Sequence, residues 1–281
     1  MSRSTHPTNA DHADSAERAC PGWFDAHNHL HDPRFGEDCA DLVASQRAAG
    51  ISGCVVNATC EDDWPRVAEL AREFPDFVLP AFGIHPWKAH AASPGWQDRL
   101  LDFLDTFPNA SIGECGIDSW VHSPSLDRQI SIFLDHLRIA RETDRTLTIH
   151  CLKAWGALFD CFNKQPPPQH FLMHSFGGSL ETAHRLLPLG AYFSFSGHFL
   201  HERKRNILSV FRNLPEDRIL LETDAPDMLP PDAHVTHPLP NGINHPANLP
   251  AIGIALATGR AIQPETLARQ LETNTRDCFG G

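Results

Sequence analysis

Short apolar, β-branched-rich runs recur along this chain, and between them lie stretches whose apolar residues return every three or four positions. The first pattern reads as a buried strand and the second as an amphipathic helix, so their alternation signals βα units and a parallel sheet. The strand-like runs are GWFDAH from Gly22, ISGCVVNAT from Ile51, FVLPAFGIH from Phe77, ASIGECG from Ala110, LTIH from Leu147, HFLMH from His170, AYFSFSG from Ala191 and RILLETDAP from Arg218. Eight such repeats fit a closed (β/α)8 TIM barrel forming a single domain. Helices are expected over 38–49, 62–73, 96–107, 126–143, 154–163, 180–187 and 202–213, then near 249–258 and 264–271, the last continuing towards Phe279. Gly50, Pro75, Pro108 and the run Pro166 to Pro168 follow four of these stretches and stop them chemically. After Pro226 comes DMLPPDAHVTHPLPNGINHP, about twenty residues with no apolar period. A loop that long in a compact domain suggests function, and it is expected to cover the pocket.

The 281 residues are 41% hydrophobic, enough for a substantial core. Residues 1–20 are polar, lack the apolar run of a signal peptide, and read as a disordered tail ahead of a barrel domain at 21–281. No later run approaches bilayer-spanning length, so a cytoplasmic location without membrane partners is expected. The eight cysteines show no CxxC pairing and read as buried thiols. A net charge of −12 argues against an extended basic surface gripping nucleic acid. It leaves a phosphate substrate open, because a pocket-bound cation reverses the local potential. His6, His12 and His122 lie in polar segments and read as solvated.

The remaining polar signal collects at strand ends. In FDAHNHLHD, Asp25, His27 and His29 alternate, and side chains two apart on a strand share a face. His85 closes the third strand, Glu114 the fourth, His150 the fifth, His174 the sixth and Asp224 the eighth. Taken singly, His150 and His174 have a core reading, and Glu114 and Asp224 a capping one. On a barrel, however, C-terminal strand ends form one rim, and a single metal centre explains them together. Four imidazoles and two carboxylates suffice for two divalent ions: His27, His29 and Asp224 on one, His150 and His174 on the other, Glu114 bridging. Asp25 is expected to support the ligands rather than join them. Two dications against two carboxylates leave roughly +2, which suits an anionic substrate and hydrolysis by an activated water. Asp224 is a candidate acceptor of that water's proton. Mixed nitrogen and oxygen donors favour zinc or manganese over an all-oxygen magnesium shell, without choosing among Zn, Mn and Mg.

Together these motifs resemble the TatD family of metal-dependent deoxyribonucleases, within the metallo-dependent hydrolases, over Phe24 to Phe279. The resemblance rests on DAHNH at Asp25, GIHP at Gly83, GECGID at Gly113, IH at Ile149, HSFGG at His174 and ETDAP at Glu222, in that order. It implies a (β/α)8 barrel, a dinuclear site and hydrolysis of phosphodiester bonds in DNA, with 3′ to 5′ exonuclease action and DNA ends or another small phosphodiester as substrate. His85 matches the family's histidine near the substrate phosphate, which makes it a catalytic and substrate-binding candidate beside Glu114 and Asp224. Gln129, Phe133, Lys204, Asn244, Pro246, Asn274 and Phe279 are lesser echoes. Departures fall around the substrate. Ser119 and Trp120 stand where a tyrosine commonly follows the GLD motif, Lys153 lies one place beyond the usual basic position, and His245 stands where glutamate is frequent. Lys153 is retained as a substrate-binding candidate. Trp87, Trp120 and Trp155 are expected to pack on the rim rather than stack on a base. Two other readings remain: an ester or amide hydrolase of the same superfamily, such as an aminoacyl-tRNA deacylase, and a non-catalytic metal-binding partner protein. The oligomeric state is not legible.

Overall fold

The computed structural model describes residues 22–36 and 39–280. The expected tail at 1–20 and the first residue of the helix expected from Asp38 lie outside the described residues. Eight parallel strands run in sheet order one to eight: β1 (Trp23–Asn28), β2 (Ile51–Asn57), β3 (Val78–Phe82), β4 (Ser111–Asp118), β5 (Leu147–Leu152), β6 (Phe171–Met173), β7 (Ala191–Ser196) and β8 (Ile219–Glu222). The ends of the sheet meet, since Asp224 N–H bonds the His27 carbonyl and His29 N–H bonds the Ala225 carbonyl. This is the expected barrel.

The helices are α1 (Ala40–Ala48), α2 (Trp64–Glu73), α3 (Trp96–Thr106), α4 (Leu126–Glu142), α5 (Trp155–Lys164), α6 (Leu180–Leu186), α7 (Arg205–Asn213), α8 (Leu249–Arg260) and α9 (Pro264–Phe279). In α4 the residues Phe133, Leu137, Ile139 and Ala140 are fully buried, and Ser125 caps its start by accepting from Arg128 N–H. The helix expected over 202–213 starts later, because Glu202–Lys204 forms a separate 3-10 turn before α7. The Pro-rich segment after Pro226 is not featureless. It holds 3-10 turns at Asp232–His234, Pro240–Gly242 and Pro246–Asn248, organised by Asn248 Oδ1, which accepts from Thr236 and His237 N–H. Arg34 ties the start of this segment to the β1 side by pairing with both Asp32 and Asp227.

Two features decide which end of the barrel is available. At the N-terminal end, Cys278 and Phe279 of α9 pack with Ala26, Leu172, Tyr192 and Leu220, and Asn274 donates to the Glu216 and Ile219 carbonyls. That end is plugged. At the other end, the buried Gln129 pins the end of β4 through Asp118 N–H, the Asp118 carbonyl and the Pro124 carbonyl. Gly116 follows from the closeness of β4 and β5: a Cβ there would lie 2.0 Å from the His150 carbonyl oxygen. Glu114 and His150 are thereby held side by side. Among the described residues, no helix is long and apolar enough to cross a membrane. Among the described residues the cysteines are buried at 39, 54, 115, 161 and 278 and half-buried at 60 and 151.

Candidate metal centre

All six predicted ligands converge at the C-terminal rim. Glu114, 2% exposed, stands at the middle. Its Oε2 lies 3.3 Å from His27 Nε2 and 3.4 Å from His29 Nε2. Its Oε1 lies 2.8 Å from His174 Nε2 and 3.0 Å from His150 Nδ1. Asp224 Oδ1 completes the first set at 3.4 Å from both His27 Nε2 and His29 Nε2, which are themselves 3.2 Å apart. On the other side, His150 Nδ1 and His174 Nε2 are 3.2 Å apart.

Lone-pair atoms gather so closely only around protons or a cation. Neighbouring corners of a tetrahedral shell with bonds of about 2.0–2.1 Å are separated by roughly 3.3–3.4 Å. The spacing of His27, His29, Glu114 and Asp224 meets that requirement, and the residues fit a divalent ion. Among the described residues, the sets His27–His29–Asp224 and His27–Glu114–His174 are each compact enough to hold one ion.

The proton positions sort the histidines further. His29 Nδ1–H donates to the Asn57 carbonyl at 2.7 Å, which leaves the Nε2 lone pair facing Glu114 and Asp224. His150 is turned the other way: its Nε2–H donates to Asp118 Oδ2 at 3.1 Å, so the Nδ1 lone pair faces Glu114. His174 presents Nε2, with Nδ1 aimed at Glu222 Oε1 across 3.7 Å. His85 differs. Its Nδ1 accepts from Trp87 N–H at 3.1 Å, so the neutral ring carries its proton on Nε2, 3.3 Å from Glu114 Oε1. Although His85 also falls in a compact set with Glu114 and His150, it stands there as a hydrogen-bond donor, not a lone pair.

Electrostatics follow from burial and neighbours. Burial by itself would raise Glu114, but His174, His85 and His27 outweigh it and hold the carboxyl well below its ordinary range. Asp224 is lowered too, with burial opposed by hydrogen bonds from His27 and His29. For His29 and His174, burial disfavours the proton, yet the facing carboxylates raise both well above the ordinary histidine value. Protons and a cation therefore compete for the same lone pairs. His85 goes the other way, pushed down by burial to about 4, and is neutral at pH 7.

Asp25 is fully buried and turned from the cluster. It accepts from Thr223 N–H at 2.9 Å, Thr223 Oγ at 2.5 Å and Asn28 Nδ2 at 3.1 Å, stitching β1 to the segment after β8. Burial pushes its carboxyl up to about 6 against those bonds. Its alternation with His27 and His29 thus serves the frame rather than the cluster. Two acids had no role assigned from sequence. Asp118 backs His150, and Glu222, which accepts from Ser194 Oγ, backs His174. Both sit inside the family motifs, as the last residue of GECGID and the first of ETDAP, and that was their only signal. Lys153 is exposed at the mouth with its ammonium 3.8 Å from the centroid of the Trp120 ring. Trp155 packs edge-on against Phe176, and Trp87 Nε1–H donates to Asp118 at 2.7 Å. Lys153, Ser175 and Asp224, at the exits of β5, β6 and β8, all have left-handed φ, between 42° and 54°. Each costs roughly 1–2 kcal/mol for a residue bearing a Cβ, and such strain gathers where a site must be shaped.

Comparison with known proteins agrees with this geometry. The family model described as TatD related DNase matches residues 24–280. The chain is 31% identical over 266 residues to the 3′-5′ ssDNA/RNA exonuclease TatD of Dickeya dadantii (strain 3937), covering 91% of this chain and 97% of that protein. A protein of the same description from Rahnella sp. (strain Y9602) is 31% identical over 267 residues, again 91% and 97%. Among solved structures, YJJV, a TatD homolog from Escherichia coli K12, superposes with a TM-score of 0.84 at 26% identity, over 93% of this chain and 99% of that one. A TatD family hydrolase from Entamoeba histolytica, 18% identical, shares the fold with a TM-score of 0.81 over 92% and 98%. This chain belongs to the TatD-related DNase family of metal-dependent hydrolases.

Proposed function

We propose that the chain is an exonuclease that removes nucleotides from the 3′ end of single-stranded DNA, using two divalent ions. His27, His29 and Asp224 would hold one ion, His150 and His174 the other, with Glu114 shared. The observation that carries this reading is the division of Glu114, whose Oε2 faces one pair of imidazole nitrogens while Oε1 faces the other. The relatives are 3′-5′ ssDNA/RNA exonucleases by name, which supports the polarity and extends the substrate class to RNA.

Bound dications supply the positive charge that acidifies a water and stabilises the charge developing on a phosphodiester. The chain's own residues do the rest. His85, neutral and carrying its proton on Nε2, is placed to donate to a phosphate oxygen. Asp224, at the rim and 7% exposed, is the candidate acceptor for the proton of the attacking water. Asp118 and Glu222 orient His150 and His174. Free buried cysteines support a cytoplasmic location.

The test is mononucleotide release from 3′-labelled and 5′-labelled single-stranded DNA by wild type and Glu114→Ala, with manganese, magnesium or zinc restored after chelation. Metal-dependent release starting at the 3′ label, lost in Glu114→Ala, is expected. A folded, metal-loaded protein that releases nothing, and leaves an aryl phosphodiester intact, overturns the reading. Release of amino acid from aminoacyl-tRNA would then identify an ester hydrolase.

A further inference from the structure

The rim also holds a cavity of about 560 Å³ whose lining includes Trp120, Gly177, His198, Arg203 and Lys204. These residues leave β4, β6 and β7, and Lys153, which leaves β5, reaches the same place through its contact with Trp120. The cavity therefore opens along one side of the rim, whereas the Arg34–Asp227 pair ties down the opposite side, between the exits of β1 and β8.

Its composition is unlike that of the molecule. The chain carries −12 overall, yet this wall presents Arg203 and Lys204 together, with Lys153 against the Trp120 ring. Glu202, the acid next in sequence, is engaged by Arg205 at 2.6 Å. Among the described residues no carboxylate lies within ion-pair distance of Arg203, Lys204 or Lys153. Two cations on one wall without counter-charge invite an anion. Trp120 adds a flat apolar surface. It is 62% exposed, and Lys153 covers one face at 3.8 Å. Rim packing, expected from sequence and seen for Trp155 on Phe176, does not describe it.

The cavity is also tied to the reacting centre. Trp120 N–H donates to Asp118 Oδ1 at 2.7 Å, and the other oxygen of that carboxylate holds His150. The Trp120 loop and His150 thus share one carboxylate, that of Asp118. On the same cavity wall, His198 lies beside Phe199 and His201 at the exit of β7.

We infer that this cavity is a subsite for the nucleotide adjoining the scissile bond, with its base stacked on the open face of Trp120 and a backbone phosphate on Arg203 and Lys204. The inference rests on the nuclease reading above and adds a specificity: oligonucleotides over small phosphodiesters. Aromatic stacking accepts any base, so the preference is for strand length and not for sequence.

Metal-loaded wild type, Trp120→Ala, Trp120→Phe and Arg203→Ala/Lys204→Ala would be titrated against a 5′-fluorescein phosphorothioate oligothymidylate of about ten nucleotides, read by anisotropy. Trp120→Ala should raise Kd about tenfold with an unchanged salt slope, and Trp120→Phe should retain most of the affinity. The double variant should lower the slope of log K against log salt by about 1.4, or about 0.7 for each phosphate charge left unneutralised. With a cleavable oligonucleotide, KM should rise in parallel while kcat stays within about twofold, and turnover of bis(p-nitrophenyl) phosphate should not change. Wild-type Kd in both Trp120→Ala and the double variant overturns the inference, as does an equal loss on the aryl diester. Weakened binding in a protein that cleaves neither substrate would sustain the subsite and remove the nuclease reading.

Discussion

Asp118 accepts a hydrogen bond from His150 Nε2–H at 3.1 Å, on the side of the ring turned away from Glu114. This single contact decides which nitrogen of His150 faces the centre, because a proton fixed on Nε2 leaves Nδ1 as the only lone pair. Asp118 is itself held by Trp87 Nε1–H and Trp120 N–H, so ring, carboxylate and rim loops form one connected network. Asp118→Asn should keep the fold and lower affinity for the ion at His150 and His174 by about 10–100-fold. Isothermal titration of chelated protein would show one of two binding events weakened; two unchanged events would reject the role.

His85 should behave differently from the ligands. His85→Ala is expected to retain both ions, measured by elemental analysis, while kcat on single-stranded DNA falls about 10²–10³-fold, the usual loss when a donor to developing negative charge is removed. Loss of an ion in this variant would make His85 a ligand and contradict the tautomer set by Trp87 N–H.

Removing metal should loosen the centre. With two carboxylates and four imidazoles buried around no cation, repulsion and unpaired lone pairs replace coordination. An ion held at one hundred times its Kd contributes about 2.7 kcal/mol, so chelation should lower Tm by several degrees and readdition should restore it. Because carboxylates raise His29 and His174, protons displace the ions as pH falls, and the metal-dependent increment in Tm should shrink with acidification.

His136 offers a pH effect away from the ligands. The ring is fully buried beside Trp96, its Nδ1–H donates to the Ile132 carbonyl, and Nε2 accepts from Ile84 N–H. Burial pushes its value down to about 4 from 6.5. Above pH 6.5 both folded and unfolded chains hold it neutral and the contribution is complete. Between pH 6.5 and 4 only the unfolded chain takes the proton, so stability falls by up to about 3 kcal/mol. His136→Gln should be less stable at pH 8 yet show a shallower decline through that window in urea unfolding; parallel curves would refute the assignment.

The sequence by itself determined the barrel and singled out the side chains that meet at its rim. Buried parallel strands need continuous apolar runs, so eight of them were legible, and a His, Asp or Glu ending such a run is costly unless it is used. His27, His29, Glu114, His150, His174 and Asp224 stood out for that reason, and the fold brings them together. Tertiary structure decided everything that depends on direction. Which nitrogen faces Glu114 is set for His29 by the Asn57 carbonyl and for His150 by Asp118, both on other strands. Asp25 matched the ligand pattern as well as its neighbours did, and only the pairing of β1 with the segment after β8 turned it towards Thr223. Likewise Trp120, Lys153, Arg203 and Lys204 are ordinary polar-loop residues until β4 to β7 bring their loops together. Periodicity reports what a residue costs to bury. It carries no record of the partner that meets it across the fold, and that partner fixes the chemistry.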